Sequence, residues 1–268
     1  MKWLPLGKPH PELPFHAANK NRLGEWLVRR LLVLPGFSRA FHAVYAYADL
    51  EALRLKQTPD LPVIFCLTHS GWWDGYFASV LNRAIFKQDG YLMMEESSLT
   101  RYPFFTWIGV FGVDRDDPRK ALASIDYAVK LLTEGERRAV WVFPQGTITH
   151  PDTRPLGVFG GVAHIARRVG RCAIVPVALR YEFRLEQAPE AFAYIGPPLV
   201  VEMGVDRLSA REITAQVDAI ISAADDKLHK QLVDGDLKSY RPILKGRASI
   251  SRIWDSALAF VSKTLRGQ

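Results

Sequence analysis

Apolar positions follow one rule in the middle of the chain and another at its ends. From residue 62 onward, short apolar runs alternate with stretches of helical spacing. Pro62–Leu67, Tyr91–Met94, Val110–Val113, Arg138–Phe143 and Ala173–Leu179 read as buried strands, with shorter strands near 191–203. Between them Gly75–Phe86, Pro118–Leu132 and Gly161–Val169 read as helices, and Ser209 to about Leu232 as a long one. Asp116 or Asp117 is placed to cap the helix that begins at Pro118. Strands alternating with helices predict an α/β fold, with a largely parallel central sheet flanked by helices.

The ends carry no such alternation. Residues 1–19 are rich in Pro and His and predict no regular element. Asn19 or Asn21 can cap a helix to about Leu34, which Pro35-Gly36 should end, and Phe37–Arg54 reads as a second helix. An N-terminal helical pair follows from that reading. At the other end Ile250, Ile253, Trp254, Ala257, Leu258, Val261 and Leu265 recur at helical spacing, surrounded by Arg247, Arg252, Lys263 and Arg266. The chain therefore divides into an amphipathic helical segment over 1–56, an α/β domain over 57–240 and a basic amphipathic helix over 241–268.

Charge sharpens that division. Among 35 basic and 28 acidic residues, giving +7, the first 62 residues hold a balance of +4 and residues 241–268 one of +5, so the body between is slightly acidic. Basic, Trp-bearing amphipathic ends suit an anionic membrane surface. They equally suit helices that dock on the core with a basic outer face. No nucleic-acid motif is present, so no nucleic-acid partner is expected. With 268 residues, 48% of them hydrophobic, the chain can bury a sizeable core. No apolar run approaches ~18 residues, the length of a membrane-spanning helix. Residues 1–5 offer no signal-peptide core. Cys66 and Cys172 lie in apolar runs and form no disulfide or zinc-like pattern, which fits a reducing cytoplasm. The seven His show no ligand-like cluster, so no metal is expected.

Three short blocks carry candidate chemistry. The first, Thr68-His69-Ser70-Gly71-Trp72-Trp73-Asp74-Gly75, joins a buried strand to a helix, where ligands bind in open α/β sheets. Five residues apart on one helix, His69 and Asp74 could not meet; at a loop-to-helix junction they can. Asp74 would then fix the imidazole tautomer and leave the other nitrogen as a base. Alternatively Asp74 is an ordinary N-cap and His69 a loop residue. The second block, Gly109 to Arg115, ends a strand in an Arg suited to a phosphate or carboxylate, or to pairing with Asp114 or Asp117. The third, Phe143-Pro144-Gln145-Gly146-Thr147, follows another strand; Pro stops the ladder and Gly permits close backbone approach, to a ligand or merely in a turn.

In this order, and followed by Ile174-Val175-Pro176-Val177, the blocks resemble the glycerolipid acyltransferase family, that of 1-acylglycerol-3-phosphate and other lysophospholipid acyltransferases. The resemblance covers roughly residues 60–180. It implies acyl transfer from a thioester, on coenzyme A or acyl carrier protein, to a lipid hydroxyl, with no cofactor. His69 and Asp74 become the catalytic pair of a His-x4-Asp motif. Arg115, Pro144, Gln145, Gly146 and Thr147 become acceptor-binding residues, and backbone N–H groups near Gly71 or Gly146 candidate oxyanion donors. The family places such an enzyme on a membrane, here peripherally on the cytoplasmic face.

Two departures leave the acceptor open. The third block's family Glu is Gln145, and Ile148 follows Thr147 where many members have Arg. An unphosphorylated lipid alcohol or glycolipid, such as a carotenoid glycoside, is then an alternative acceptor. A reading of another class is a non-catalytic membrane lipid-binding protein that kept the fold. A serine hydrolase or a P-loop protein is excluded by the absence of their glycine motifs.

Overall fold

A computed structural model describes residues 14–202 and 208–247, together with Trp254. Its centre is β2 (Val63–Leu67), a strand of five buried residues. Such a run can be covered only on both faces, as parallel strands are. Around it lie β3 (Asp89–Glu95), β4 (Val110–Val113), β5 (Arg138–Val142) and β6 (Arg171–Glu182). With β1 (Ala43–Ala48), β7 (Glu190–Ile195), β8 (Leu199–Glu202) and β9 (Arg241–Lys245) they form one sheet in the order β4-β3-β5-β2-β6-β7-β1-β9, β8 pairing with β6. The ladders from β4 through to β6 and the β7–β1 ladder are parallel; β6–β7, β6–β8 and β1–β9 are antiparallel.

Alternation along the strands sorts the two faces. Val63, Phe65 and Leu67 pack with Phe37 and Phe77, from α2 (Leu34–Ala40) and α4 (Asp74–Leu81). Ile64 and Cys66 face the opposite layer, α6 (Pro118–Thr133), α7 (Gly161–Val169) and α8 (Ala210–Asp234). Caps set two of those helices. Asp117 accepts from the N–H groups of Arg119 and Lys120, and Ser209 with Glu212 closes a capping box at α8. Short helices α3 (Leu50–Arg54) and α5 (Glu96–Arg101) complete the set with α1 (Arg22–Val28).

The N-terminal region corrects the helical pair. The first helix does begin at the Asn21 cap, but Pro35 does not stop it: a wide turn over Arg29–Val33, closed by Leu34 N–H to Arg29 C=O, precedes the proline and leads into α2, which ends at Ala40. A widened turn accommodates a residue that cannot make the regular bond. Phe37–Arg54 is not one helix. β1 interrupts it, held between β7 and β9 by residues about 150 to 200 positions away. The sheet thus runs across both divisions drawn at 56/57 and 240/241, and residues 241–245 are a strand. The expected C-terminal helix otherwise lies outside the described residues, except Trp254, which is helical and exposed. Among the described residues no helix is long and apolar enough to cross a membrane.

Candidate active site

The first block sits at the carboxyl end of β2. Thr68 N–H donates to the Val177 carbonyl (3.0 Å), and its Oγ1 accepts from Leu179 N–H (2.9 Å), so the strand end is pinned to β6. The chain then turns over Ser70–Trp73, and α4 begins at Asp74. That turn brings His69 Nδ1 to 2.8 Å from Asp74 Oδ2. The same oxygen accepts from the N–H groups of Ser70 (2.8 Å) and Gly71 (2.9 Å). Asp74 is therefore more than a cap: it bonds the turn in front of its helix and the imidazole together. A carboxylate only accepts, so Nδ1 carries the proton and Nε2 presents its lone pair. Phe143 stacks on the ring, centroids 4.3 Å apart.

Tyr181, at the far end of β6, was not singled out by sequence reasoning. Its hydroxyl donates to Asp74 Oδ1 at 2.5 Å. Burial, and then the charge of Asp74, push this phenol well above its usual range, so it stays a donor. A β-carbon at Gly71 would meet the Tyr181 ring at 3.1 Å, which is why the turn carries a glycine.

The third block adjoins the pair from behind. Gln145 is 4% exposed and does not point outward: its Oε1 accepts from His69 N–H (2.7 Å) and its Nε2 donates to Thr149 Oγ1 (2.6 Å). Thr149 N–H in turn bonds the His69 carbonyl (2.9 Å). Gln145 thus fixes the histidine backbone. Pro144 is buried beside it, while Thr147 is exposed. Gly146 takes φ +68, and a β-carbon there would run into Arg115 Nη1. So the second block meets the third across this glycine, with the Arg115 guanidinium also 5.7 Å from the Phe159 ring. Arg115 is exposed and has no ion pair among the described residues. Of its expected acidic partners, Asp114 takes Lys120 (2.9 Å) and Asp117 caps α6.

The oxyanion donors expected near Gly71 and Gly146 are already engaged, Gly71 N–H on Asp74 and Gly146 N–H on the Phe143 carbonyl (3.0 Å). Both cysteines are buried, and burial raises both thiols, Cys172 to about 12; neither is a nucleophile at neutral pH. Among the described residues no group of His, Cys, Asp and Glu could hold a metal ion. What the site can do is take a proton at His69 Nε2 while Asp74 stabilises the imidazolium that forms.

Residues 49–180, which contain all three blocks, match the family model described as Acyltransferase. No curated protein matches the chain. Among solved structures it is similar to the 1-acyl-sn-glycerophosphate (LPA) acyltransferase PlsC from Thermotoga maritima, at 17% identity and a TM-score of 0.42, over 68% of this chain and 72% of that one.

Proposed function

Residues 49–180 match the Acyltransferase family model, and from that premise we propose that the chain is a glycerolipid acyltransferase that acylates a lysophospholipid such as 1-acylglycerol-3-phosphate. The donor is an acyl thioester of coenzyme A or acyl carrier protein. His69 Nε2 takes the acceptor's hydroxyl proton as its oxygen attacks the thioester carbonyl. The new C–O bond forms, the C–S bond breaks, and the imidazolium returns its proton to the departing thiolate. Asp74 holds the ring and stabilises its cationic form; no acyl-enzyme intervenes.

The observation that carries this reading is the His69–Asp74 bond with Nε2 left as the acceptor nitrogen. For the acceptor it is Arg115, without an ion pair among the described residues and laid over the Gly146 turn. A planar guanidinium matches phosphate oxygens. We further propose peripheral attachment to the cytoplasmic face of a membrane, a reading that α1 and the wide turn after it support. Leu23, Trp26, Leu31 and Leu32 are exposed there, Trp26 at 59%, beside Arg22, Arg29 and Arg30.

The test is thiol release from an acyl thioester by purified protein, with a lysophospholipid and with a hydroxylated glycolipid. Arg115→Ala should raise the KM for the lysophospholipid strongly and leave the donor's nearly unchanged. An enzyme that prefers the glycolipid and is indifferent to Arg115→Ala would sink the phosphorylated acceptor. No thiol release with any lipid would favour the non-catalytic reading.

A further inference from the structure

A cavity lies away from His69 and Arg115. It is a groove of about 1020 Å³ between α1 with its wide turn, α4 with the turn that follows it, and the start of β3. One wall is apolar, with Val33, Ala78 and Leu92. The rim is cationic. Arg22, Arg29, Arg83 and Lys87 line it, and none has an ion pair among the described residues. The acidic residues there are paired: Asp89 takes Lys20 (2.6 Å), which also lines the groove, and Arg138 (2.7 Å), and Glu25 lies 3.7 Å from Lys20.

One further feature suits an anionic occupant. Partial burial, then Arg83 and Arg30, hold the Arg29 guanidinium below its usual range, so uncompensated cations crowd one another at the rim. Like charges gathered at a low-dielectric wall favour a counter-anion. On the floor, Trp141 is 2% exposed, and its indole N–H, without a hydrogen-bond partner among the described residues, is closed to the groove. That nitrogen would lie 3.1 Å from a β-carbon on Gly90, which also lines the groove.

We propose that this groove is a second anion site, which binds a phosphate ester through Arg29 and Arg83. Its ligand is either the phosphate of a lipid head group or the phosphates of coenzyme A, which present the same oxygens. The site does not depend on the acyl-transfer reading, because it shares no side chain with the His69 machinery.

The test is isothermal titration of full-length protein, without vesicles, using coenzyme A and soluble dihexanoyl phosphatidic acid as separate probes. Arg29→Gln/Arg83→Gln should weaken at least one probe by about tenfold or more, the scale of one charged hydrogen bond. Whichever probe loses affinity identifies the source of the phosphate. Arg119→Gln/Arg211→Gln, with equal charge removed from exposed positions outside the groove, and His69→Ala should bind as the wild type does. The indole N–H resonance of Trp141, assigned by its loss in Trp141→Phe, should shift on titration. Unchanged affinity for both probes in the groove variant would overturn the site. So would an equal loss in the Arg119/Arg211 control, or a loss confined to Arg115→Ala.

Discussion

Two buried aspartates, Asp74 and Asp225, are held in opposite ways. Asp74, 0% exposed, accepts four hydrogen bonds from neutral donors: an imidazole, two backbone N–H groups and the Tyr181 phenol. Asp225, 1% exposed, is held by cations: Arg180 reaches both its oxygens (3.3 and 3.2 Å), and Arg154 adds a contact at 2.6 Å. Neutral dipoles stabilise a carboxylate without cancelling its field; guanidinium groups cancel it. Only Asp74 therefore keeps a charge that can draw a proton onto His69. Asp225 spends its own on structure. Arg180 also binds Asp152 (2.7 Å) and the Pro151 carbonyl (3.2 Å), so the cluster ties α8 to the loop just beyond Thr149.

The largest effects should separate the two. His69→Ala should lower turnover by about 10²–10⁴-fold, the usual share of a general base. Asp74→Asn should cost nearly as much, since the amide disturbs the imidazole tautomer; thermal melting should show both variants folded. Asp225→Asn should do the reverse. It leaves buried guanidinium charge under-compensated, at a cost of about 3 kcal/mol. The melting temperature should fall clearly, while turnover per folded molecule stays near wild type. A collapse of turnover in Asp225→Asn without a drop in melting temperature would break the comparison.

What was legible follows from the range of the interactions. β4 and α7 have the bounds expected from their residues, because apolar runs and 3.6-residue spacing are local. The α6 cap, expected at Asp116 or Asp117, was readable for the same reason. β1 was not: Ala43, Ala46 and Ala48 suit a helix, and only pairing with β7 and β9 decides for a strand. In the site, the His69–Asp74 bond was readable because five residues at a loop-to-helix junction constrain themselves. Gln145 was placed near the site, but its inward turn depends on the loop's return through Thr149. Tyr181 stands 107 residues from Asp74 and two beyond the expected end of its strand. One signal could have found it: β6 runs parallel to β2, so its carboxyl end must lie beside that of β2.

A smaller effect tests the neutral-donor set itself. Tyr181→Phe removes one of the four donors and keeps the ring, which stacks on Phe41 at 5.4 Å. A hydrogen bond to a charged group contributes about 1.5–3 kcal/mol, so turnover should fall by roughly tenfold or somewhat more. The melting temperature should fall as well, because Asp74 Oδ1 is left buried without its donor while the ring packing survives. Turnover equal to wild type, measured by thiol release at saturating acceptor, would mean that the two backbone N–H groups suffice to hold Asp74.

The smallest effect is expected from Gln145→Glu, which places another carboxylate in the same surroundings. Its partners, His69 N–H and Thr149 Oγ1, are both neutral. A Glu keeps the first bond unchanged. The second survives if the Thr149 hydroxyl rotates from accepting to donating, which a hydroxyl can do without moving its oxygen. The new charge would have no cation among these hydrogen-bond partners, as Asp74 has none among its own, so its tolerance depends on whether neutral donors are enough. On that rule turnover should stay within about threefold of wild type, or ~0.7 kcal/mol in the barrier. Gln145→Ala is the contrast: it deletes both bonds and leaves a buried His69 N–H without its acceptor, which should lower turnover and melting temperature together. If Gln145→Glu were as damaging as Gln145→Ala at neutral pH and recovered on acidification, the added charge would be the cause. Neutral donors would then support one buried carboxylate here and not two.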